Sequence, residues 1–381
     1  MHTLIIGSGM AGITLAREIR KLDRERPLTV VTADDGRFYS KPNLSNAFAA
    51  GKRPEDLVMT PAERLEQDLG LRILRHCPVQ SIDAGRRTVR SAQGELAYDQ
   101  LVLAVGASQV RLPLAGDAAD AVLTVNSLDD YAALRRHLDG CRRVAIVGAG
   151  LIGCEFANDL RLGGFAVDLF DIAPLPLARL LPEAAATLLR DRLAGIGVGF
   201  HLATALRAID RDGEGFRLTT GDGAVNRYDL VISAVGLKPN LELARSAGLA
   251  TGIGIRTDAF LRTSDPDIYA LGDCIEIAGH YLPYVMPIMH GARKLAATLA
   301  GRPEPLGLPA MPVVLKTPAC PTVVSPPPPG PGRWEASPAD DGLRALYVDA
   351  ASGEASGFVL QGACTRERMA LAGRMPALVV A

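Results

Sequence analysis

Two glycine fingerprints of the same kind stand 141 residues apart in this 381-residue chain. The first is Gly7-Ser8-Gly9-Met10-Ala11-Gly12, reached from the apolar run Leu4-Ile5-Ile6. The second is Gly148-Ala149-Gly150-Leu151-Ile152-Gly153, reached from Val144-Ala145-Ile146-Val147. Each follows a strand-like run and opens a helical pattern. In that setting the first glycine permits the tight turn, the second lets backbone approach a pyrophosphate, and the third lets helix pack closely on strand. The phosphates then sit at the positive end of the helix. One such motif is weak, because any close strand-to-helix turn favours glycine. Two in full strand-turn-helix context predict two bound dinucleotides.

The remainder of each unit supports this. After the first fingerprint the pattern gives a helix from Met10 to about Leu22 and a strand from Leu28 to Thr32, followed by Ala33, Asp34 and Asp35. An acidic side chain at that strand end accepts hydrogen bonds from ribose hydroxyls. Asp34 is the first choice and Asp35 the close alternative, since the pair also begins a polar turn with Gly36. The second unit runs from a strand at Arg143 through a helix from Leu151 to Leu162, breaks at Gly163-Gly164, and continues as a strand to Phe170 that ends at Asp171. Asp171 is its ribose candidate. Ile172, Ala173 and Pro174 follow, with no Arg or Lys to pair a 2′-phosphate, so NADH is expected rather than NADPH.

Two further segments echo one another, Tyr98 to Gly106 and Tyr228 to Gly236. Each is an apolar strand ending in Ala-Val-Gly and leading to a proline, Pro113 or Pro239. Their recurrence after each fingerprint indicates an internal duplication. It also places the domains: 1–112 with 237–303 for the first, 113–236 for an inserted homologue, and 304–381 for a C-terminal remainder. Ile268 to Asp273 reads as another short strand ending in an acid. Pro287 stands where a helix-opening proline would, ahead of Ile288, Ala292, Leu295 and Leu299 on one face, with Gly301 at the end. Beyond residue 304 come Pro-rich stretches that favour extended backbone, then the alternating runs Leu343 to Val348 and Gly357 to Leu360, which read as strands. The fold expected is α/β: two Rossmann-like dinucleotide-binding domains plus a small α+β C-terminal domain.

Composition limits the alternatives. A formal net charge of −1 provides no global field for nucleic acid or anionic lipid. No apolar run is long enough to span a bilayer, and the first strand begins too early to leave room for a leader. The six cysteines stand singly, without metal or cluster spacing, and read as reduced cytoplasmic thiols, so no metal site is expected.

The two fingerprints, the two echoed strands, Glu155 after the second fingerprint and the Ile268 to Asp273 strand together resemble the two-dinucleotide-binding-domain flavoproteins, the family of glutathione reductase and the NADH-dependent ferredoxin reductases. The resemblance implies FAD at the first site, NAD(H) at the second, and hydride transfer from nicotinamide to flavin. Within that family, disulfide reductases and peroxidase-type members keep redox cysteines in the segment that here reads Phe38 to Ala47. This chain has none there. Electrons must therefore leave for a protein carrier, a quinone or oxygen. Tyr39-Ser40-Lys41-Pro42, Leu151 to Leu160, Tyr284-Val285-Met286-Pro287 and Lys316 to Pro321 are similar to the rubredoxin reductase branch over nearly the whole chain. That likeness implies rubredoxin as a one-electron acceptor, with flavorubredoxin or ferredoxin reductases as neighbours and a quinone reductase as a more distant rival. The absence of the long interface domain of disulfide reductases implies a monomer.

The same resemblance assigns residues. Lys41 and Glu155 belong to separate motifs that converge on the flavin, and an ion pair between them is expected beside the reactive ring. Asp273 and Val285 are implied to contact FAD, Lys316 to reach it from the C-terminal domain, and Val79 to touch adenine through backbone, although a packing valine accounts for Val79 equally well. Rubredoxins are generally acidic, so Arg37, Lys52, Arg53, Arg293 and Lys294 are the candidates for a basic docking rim.

Overall fold

The computed structural model describes residues 1–379. The first fingerprint strand, Thr3–Ile6, is buried throughout and lies at the centre of a five-stranded parallel sheet. The order is Ile268–Ala270, Gln100–Leu103, Thr3–Ile6, Leu28–Val31, Arg72–Leu74. Ile5 stands in register with Val102 on one side and Val30 on the other. A strand covered on both faces has no polar side to show, which is why Leu4-Ile5-Ile6 carries no alternation. The second fingerprint strand, Arg143–Val147, repeats this in a four-stranded parallel sheet ordered Val198–His201, Ala166–Phe170, Arg143–Val147, Leu230–Ser233. Here Ile146 lies between Leu169 and Ile232.

The two echoed segments prove to be the strands beside each fingerprint, and each delivers its Ala-Val-Gly to the fingerprint turn. Gly7 and Gly148 have φ of +113° and +106°. A Cβ on Gly7 would meet the Ala104 carbonyl oxygen at 2.2 Å, and one on Gly148 the Ala234 carbonyl oxygen at 2.5 Å. Backbone and neighbour thus both demand glycine. Just beyond each echo, Ala107–Gln109 and Leu237–Pro239 pair antiparallel where the chain leaves the first sheet and returns to it. Two antiparallel meanders, residues 79–97 and 206–228, accompany the two sheets and were not anticipated from the sequence. Their strands are short, and their polar turns mask the alternation.

Helices Met10–Leu22 and Leu151–Leu162 have the predicted bounds. The helix after Asp273 spans Val285–Leu299 with Tyr284 as its N-cap, so Pro287 is its third residue and not its first. The N–H groups of a first turn have no intrahelical acceptor, so proline there costs no hydrogen bond. Ile288, Ala292, Leu295 and Leu299 are buried as expected, in one core with Ile13 and Ala16 of the Met10 helix.

The C-terminal portion forms an antiparallel sheet ordered Val313–Leu315, Thr322–Ser325, Ala355–Gly362, Gly342–Asp349, Gly332–Ala339. Its core is continuous with the second unit: Leu315, Cys320, Val324 and Val359 pack in one cluster with Leu189 and Leu193, joined by Leu44 of the first. The Gln361 amide donates to the Ala185 carbonyl at 2.9 Å. Near the C-terminus Leu378 and Val379 pack on the core of the Met10 helix. Val379 is buried beside Leu306, Leu308 and Leu295 and forms a β-bridge with Leu308. Val380 and Ala381 lie outside the described residues. Among the described residues no helix is long and apolar enough to cross a membrane.

Candidate functional site

The two glycine turns divide their labour identically. A Cβ on Gly12 would fall 1.9 Å from the Gly7 carbonyl oxygen, and one on Gly153 would fall 1.8 Å from that of Gly148. A Cβ on Gly9 or Gly150 would meet nothing within 4 Å. The first and third glycines thus serve the protein's own packing, and the second faces open space at the helix N-terminus. Neither helix has a side-chain cap or an acidic residue in its first turn. Uncapped N–H groups, a positive helix end and room for backbone to approach a ligand fit a dinucleotide pyrophosphate at both turns.

The carboxylates at the two strand ends are held differently. Asp34 Oδ1 accepts from Ser8 Oγ at 2.9 Å, Thr32 Oγ1 at 2.5 Å and Gly36 N at 3.0 Å. These bonds aim the carboxyl at the glycine turn. Oδ2 has no protein donor among the described residues and is free for ribose hydroxyls. Asp35 accepts from Arg37 N at 3.1 Å and pairs with the Arg37 guanidinium, so it is committed elsewhere. Exposed Ala33 lies between Thr32 and this pair. His76 N donates to the Asp34 carbonyl at 2.8 Å and brings the segment leading to Val79 alongside. Val79 itself opens strand Val79–Asp83, partly buried against the core that contains Leu4, Ile6 and Cys77. In the second unit Asp171 has both oxygens engaged, Oδ2 by Ala149 N at 2.5 Å and Oδ1 by Ala173 N at 2.8 Å. It braces the second glycine turn directly.

Asp273 follows Gly272, where a Cβ would approach the Ala11 Cβ to 2.8 Å. Its turn is therefore seated on the first turn of the Met10 helix, with partly buried Met10 alongside. Burial pushes the Asp273 carboxyl above the usual aspartate range, opposed by the charge of Lys41. Lys41 is solvent-accessible, yet the protein packed around it strips much of its hydration. That desolvation lowers its ammonium below the ordinary lysine value, against the pull of Asp273, Asp34 and Asp130. Tyr281 lies in the field of Asp273, and burial pushes its phenol up to about 12. Val285 is 37 % exposed at the start of its helix.

The Lys41–Glu155 ion pair expected from the sequence is not formed. Buried Glu155 pairs instead with Lys316, Nζ to Oε2 at 2.8 Å, and accepts Lys316 N on Oε1 at 2.9 Å. The Ser45 hydroxyl donates to the same carboxylate, and Lys316 Nζ also reaches Ser45 Oγ at 3.2 Å and the Pro42 carbonyl. The reason is local. Lys41 opens the short 3-10 helix Lys41–Asn46, whose far end carries Ser45 to Glu155 and leaves Lys41 on the Asp273 side. A carboxylate buried as deeply as Glu155 requires a cation and hydrogen bonds, and the C-terminal domain provides both through one residue. Sequence reasoning therefore placed Glu155 and Lys316 in one site but gave Glu155 the wrong lysine.

Residues that sequence reasoning missed are Ser45, Asn158 and Asp159. Asn158 Oδ1 accepts Ala319 N at 3.1 Å, and Asp159 accepts Phe48 N at 2.8 Å and Ala49 N at 3.1 Å. The available signal was three polar residues, Glu155, Asn158 and Asp159, at helical spacing inside an otherwise apolar helix. An open cleft of about 460 Å³ lies against this junction, with Asn46, Ala49, Leu162 and Pro318 on its walls. Of the expected basic rim, Arg37, Arg53 and Lys294 are paired with Asp35 and Asp129, with Asp56, and with Glu304. Lys52 and Arg293 are exposed and form no ion pair among the described residues.

Comparison with known proteins agrees with this geometry. Residues 1–296 match the family described as pyridine nucleotide-disulphide oxidoreductase, and residues 305–375 match the rubredoxin binding C-terminal domain. The chain is 44 % identical to a rubredoxin-NAD(+) reductase of Alcanivorax borkumensis, over all of both chains. It is 42 % identical to a nitric oxide reductase FlRd-NAD(+) reductase of Aeromonas hydrophila, covering 94 % of this chain and 92 % of that one. The structure superposes on the ferredoxin reductase for the CYP199A2 system of Rhodopseudomonas palustris with a TM-score of 0.90 at 28 % identity, covering 99 % of this chain and 96 % of that one. With two glycine cradles built alike, a matched carboxylate after each, and a family match over most of its length, the chain belongs to the pyridine nucleotide-disulphide oxidoreductases.

Proposed function

We propose that this chain takes a hydride from NADH through bound FAD and delivers the two electrons singly to rubredoxin. The observation that carries the reading is the combination of two dinucleotide cradles with a C-terminal segment that matches a rubredoxin-binding domain and shares its core with the second cradle. The 44 % identity over full length to a rubredoxin-NAD(+) reductase supports the same acceptor. No cysteine lies in Phe38 to Ala47, so the chain itself offers no disulfide there. The six cysteines are all free, which suits the cytoplasm.

FAD, when bound, supplies the conversion of a two-electron donor into one-electron deliveries. The residues do the rest. The turns at Gly9 and Gly150 hold the two pyrophosphates, while Asp34 and Asp171 face the ribose hydroxyls. Asp273 and the N-terminus of helix Val285–Leu299 close the first site from the opposite side. Lys41 puts a partly desolvated cation in that site, where it favours a more negative reduced cofactor. Lys316, neutralised by Glu155, brings the C-terminal domain to the same place. The balance is one NADH oxidised to NAD⁺, two rubredoxins reduced and one proton released.

The test is anaerobic: holoprotein and NADH mixed in parallel with rubredoxin, ferredoxin and a soluble quinone, following each acceptor's spectrum. Rapid reduction of rubredoxin, two per NADH, is the expected result. A bleached flavin with rubredoxin still oxidised would move the acceptor to a flavorubredoxin, as the FlRd-NAD(+) reductase relative of nearly equal similarity suggests.

A further inference from the structure

Helix Leu151–Leu162 starts at the second glycine turn and carries Glu155, Asn158 and Asp159 on one face, at i, i+3 and i+4. They are 6 %, 1 % and 5 % exposed, so all three polar side chains are out of water. A buried polar group without a partner is strongly unfavourable. Each of these has partners, and they are backbone amides of two distant segments. Glu155 and Asn158 accept Lys316 N and Ala319 N, while Asp159 accepts Phe48 N and Ala49 N. Neither segment is regular where it is gripped: residues 47–51 are turn, and residues 316–320 form the loop that joins the paired strands Val313–Leu315 and Thr322–Ser325. Within both stretches the helix supplies side-chain acceptors for backbone amides that the local turns leave unbonded. The first follows the 3-10 helix that Lys41 opens, and the second begins at Lys316.

We infer that Asn158 and Asp159 are positioning residues: Asn158 registers the Lys316 segment of the C-terminal domain, and Asp159 registers the Lys41 segment, both against the helix whose N-terminus holds the second dinucleotide. The two grips serve different steps. Asp159 acts, through Phe48 and Ala49, on the loop that leads back to Lys41 and so on electron entry from NADH. Asn158 acts on the turn through which the C-terminal domain reaches the flavin cleft and so on electron exit. The assay of exit rests on the rubredoxin reading; the structural readout does not.

The experiment compares wild-type holoprotein with Asn158→Leu, which keeps the branching and number of side-chain heavy atoms and removes the acceptor, and Asp159→Asn, which replaces one acceptor oxygen by a donor. Stopped-flow traces follow flavin reduction by NADH, then reoxidation by rubredoxin and by ferricyanide. Amide exchange follows residues 45–49 and 316–321. In Asn158→Leu, rubredoxin reduction is expected to fall about tenfold, on the scale by which small misplacements cost rate, with NADH reduction held within about twofold. Exchange rises at 316–321 only. Asp159→Asn shows the converse, slower flavin reduction by NADH with unchanged KM for NADH and faster exchange at 45–49. Equal slowing of both half-reactions in both variants, or exchange unchanged at both segments, overturns the inference. If wild-type protein reduces ferricyanide but not rubredoxin, the acceptor reading fails, and the exchange pattern with the NADH half-reaction still decides the positioning roles.

Discussion

The two dinucleotide units share the same glycine geometry in their turns and differ one turn further along their helices. Counted from the third glycine, Thr14, Arg17 and Glu18 of the first unit correspond to Glu155, Asn158 and Asp159 of the second. In the first unit these positions do ordinary surface and packing work. Thr14 Oγ1 lies 3.9 Å from Met289 Sδ, Arg17 stacks over Phe38 at 4.4 Å, and Glu18 pairs with Lys21. In the second unit they are buried and grip two other parts of the chain. Duplication has kept what pyrophosphate binding requires, and the helix body has diverged to hold the domains in register.

The largest expected effects break the two units separately. Gly12→Ala would drive a Cβ onto the Gly7 carbonyl, and Gly153→Ala would do the same at Gly148. Overpacking against backbone cannot be relieved by a rotamer change and costs roughly 1–3 kcal/mol or more. Gly12→Ala is expected to yield protein that retains little flavin. Gly153→Ala should remain yellow yet bleach poorly with NADH. Flavin absorbance per chain and anaerobic titration with NADH separate the two. A colourless Gly153→Ala would show that the units are not independent.

Next come the ribose carboxylates. Asp34→Ala removes one carboxylate oxygen from Ser8 and Thr32 and the other from the proposed ribose contact. Asp171→Ala removes the proposed ribose contact and also the brace on Ala149 N. Hydrogen bonds to charged groups contribute roughly 1.5–3 kcal/mol, so NADH affinity in Asp171→Ala should fall by about ten- to a hundredfold. Isothermal titration with NADH measures it. An Asp171→Ala protein that binds NADH as wild type does would remove Asp171 from the site and return it to a turn-bracing role.

A third comparison sets Lys316 against Lys41. Lys316→Met strips the cation from Glu155, which is 7 % exposed at its side chain, while Lys316 itself is 26 % exposed. Removing one partner of a buried pair costs about 3–5 kcal/mol, less here because Lys316 is partly solvated. Lys41→Met breaks no ion pair among the described residues and removes only the longer-range charge that opposes the rise of the Asp273 carboxyl. The expected outcome is a clearly lower melting temperature for Lys316→Met. Lys41→Met should melt close to wild type but be reduced more slowly by NADH. Equal melting temperatures would mean that the Glu155–Lys316 pair contributes no more than a surface contact.

What was legible in the sequence follows this division. Glycine turns, the carboxylates after the second strand of each unit and the flanking apolar strands are dictated by neighbours within one βαβ unit, and their spacing shows them. Helix Leu151–Leu162 was legible to the residue because its caps and its apolar face are local. The partner of Glu155 was not. Lys41 and Lys316 lie in separate irregular segments, and only tertiary packing decides which reaches it. The basic rim suffered in part in the same way: Asp129 reaches Arg37 and Glu304 reaches Lys294 from other segments, whereas Asp56, three residues after Arg53, was a local partner the spacing could have shown. The meanders escaped notice because strands of four to seven residues between polar turns carry too few periods to read.

The smallest effect concerns pH and again contrasts the two helices. Burial pushes the Asp159 carboxyl above the usual aspartate value, partly countered by the Phe48 and Ala49 amides. A folded-state value raised above the unfolded one means that the folded protein binds the proton more tightly, so the group's contribution is fully present below the unfolded value and is lost as pH rises through the folded value. Asp159→Asn abolishes that slope. It also loses one acceptor for a backbone amide, a cost of about 1 kcal/mol that does not change with pH. The difference in melting temperature between variant and wild type should therefore be most unfavourable in acid and shrink as pH rises above the ordinary aspartate range. Glu18→Gln, at the corresponding place on the Met10 helix, loses only a pair whose lysine is 65 % exposed and should follow wild type with nearly constant offset. Melting curves of the three proteins from acid to neutral pH check both. A flat Asp159→Asn difference would mean that the carboxylate is solvated through the neighbouring cleft, and that its two amide bonds alone account for its place in the helix.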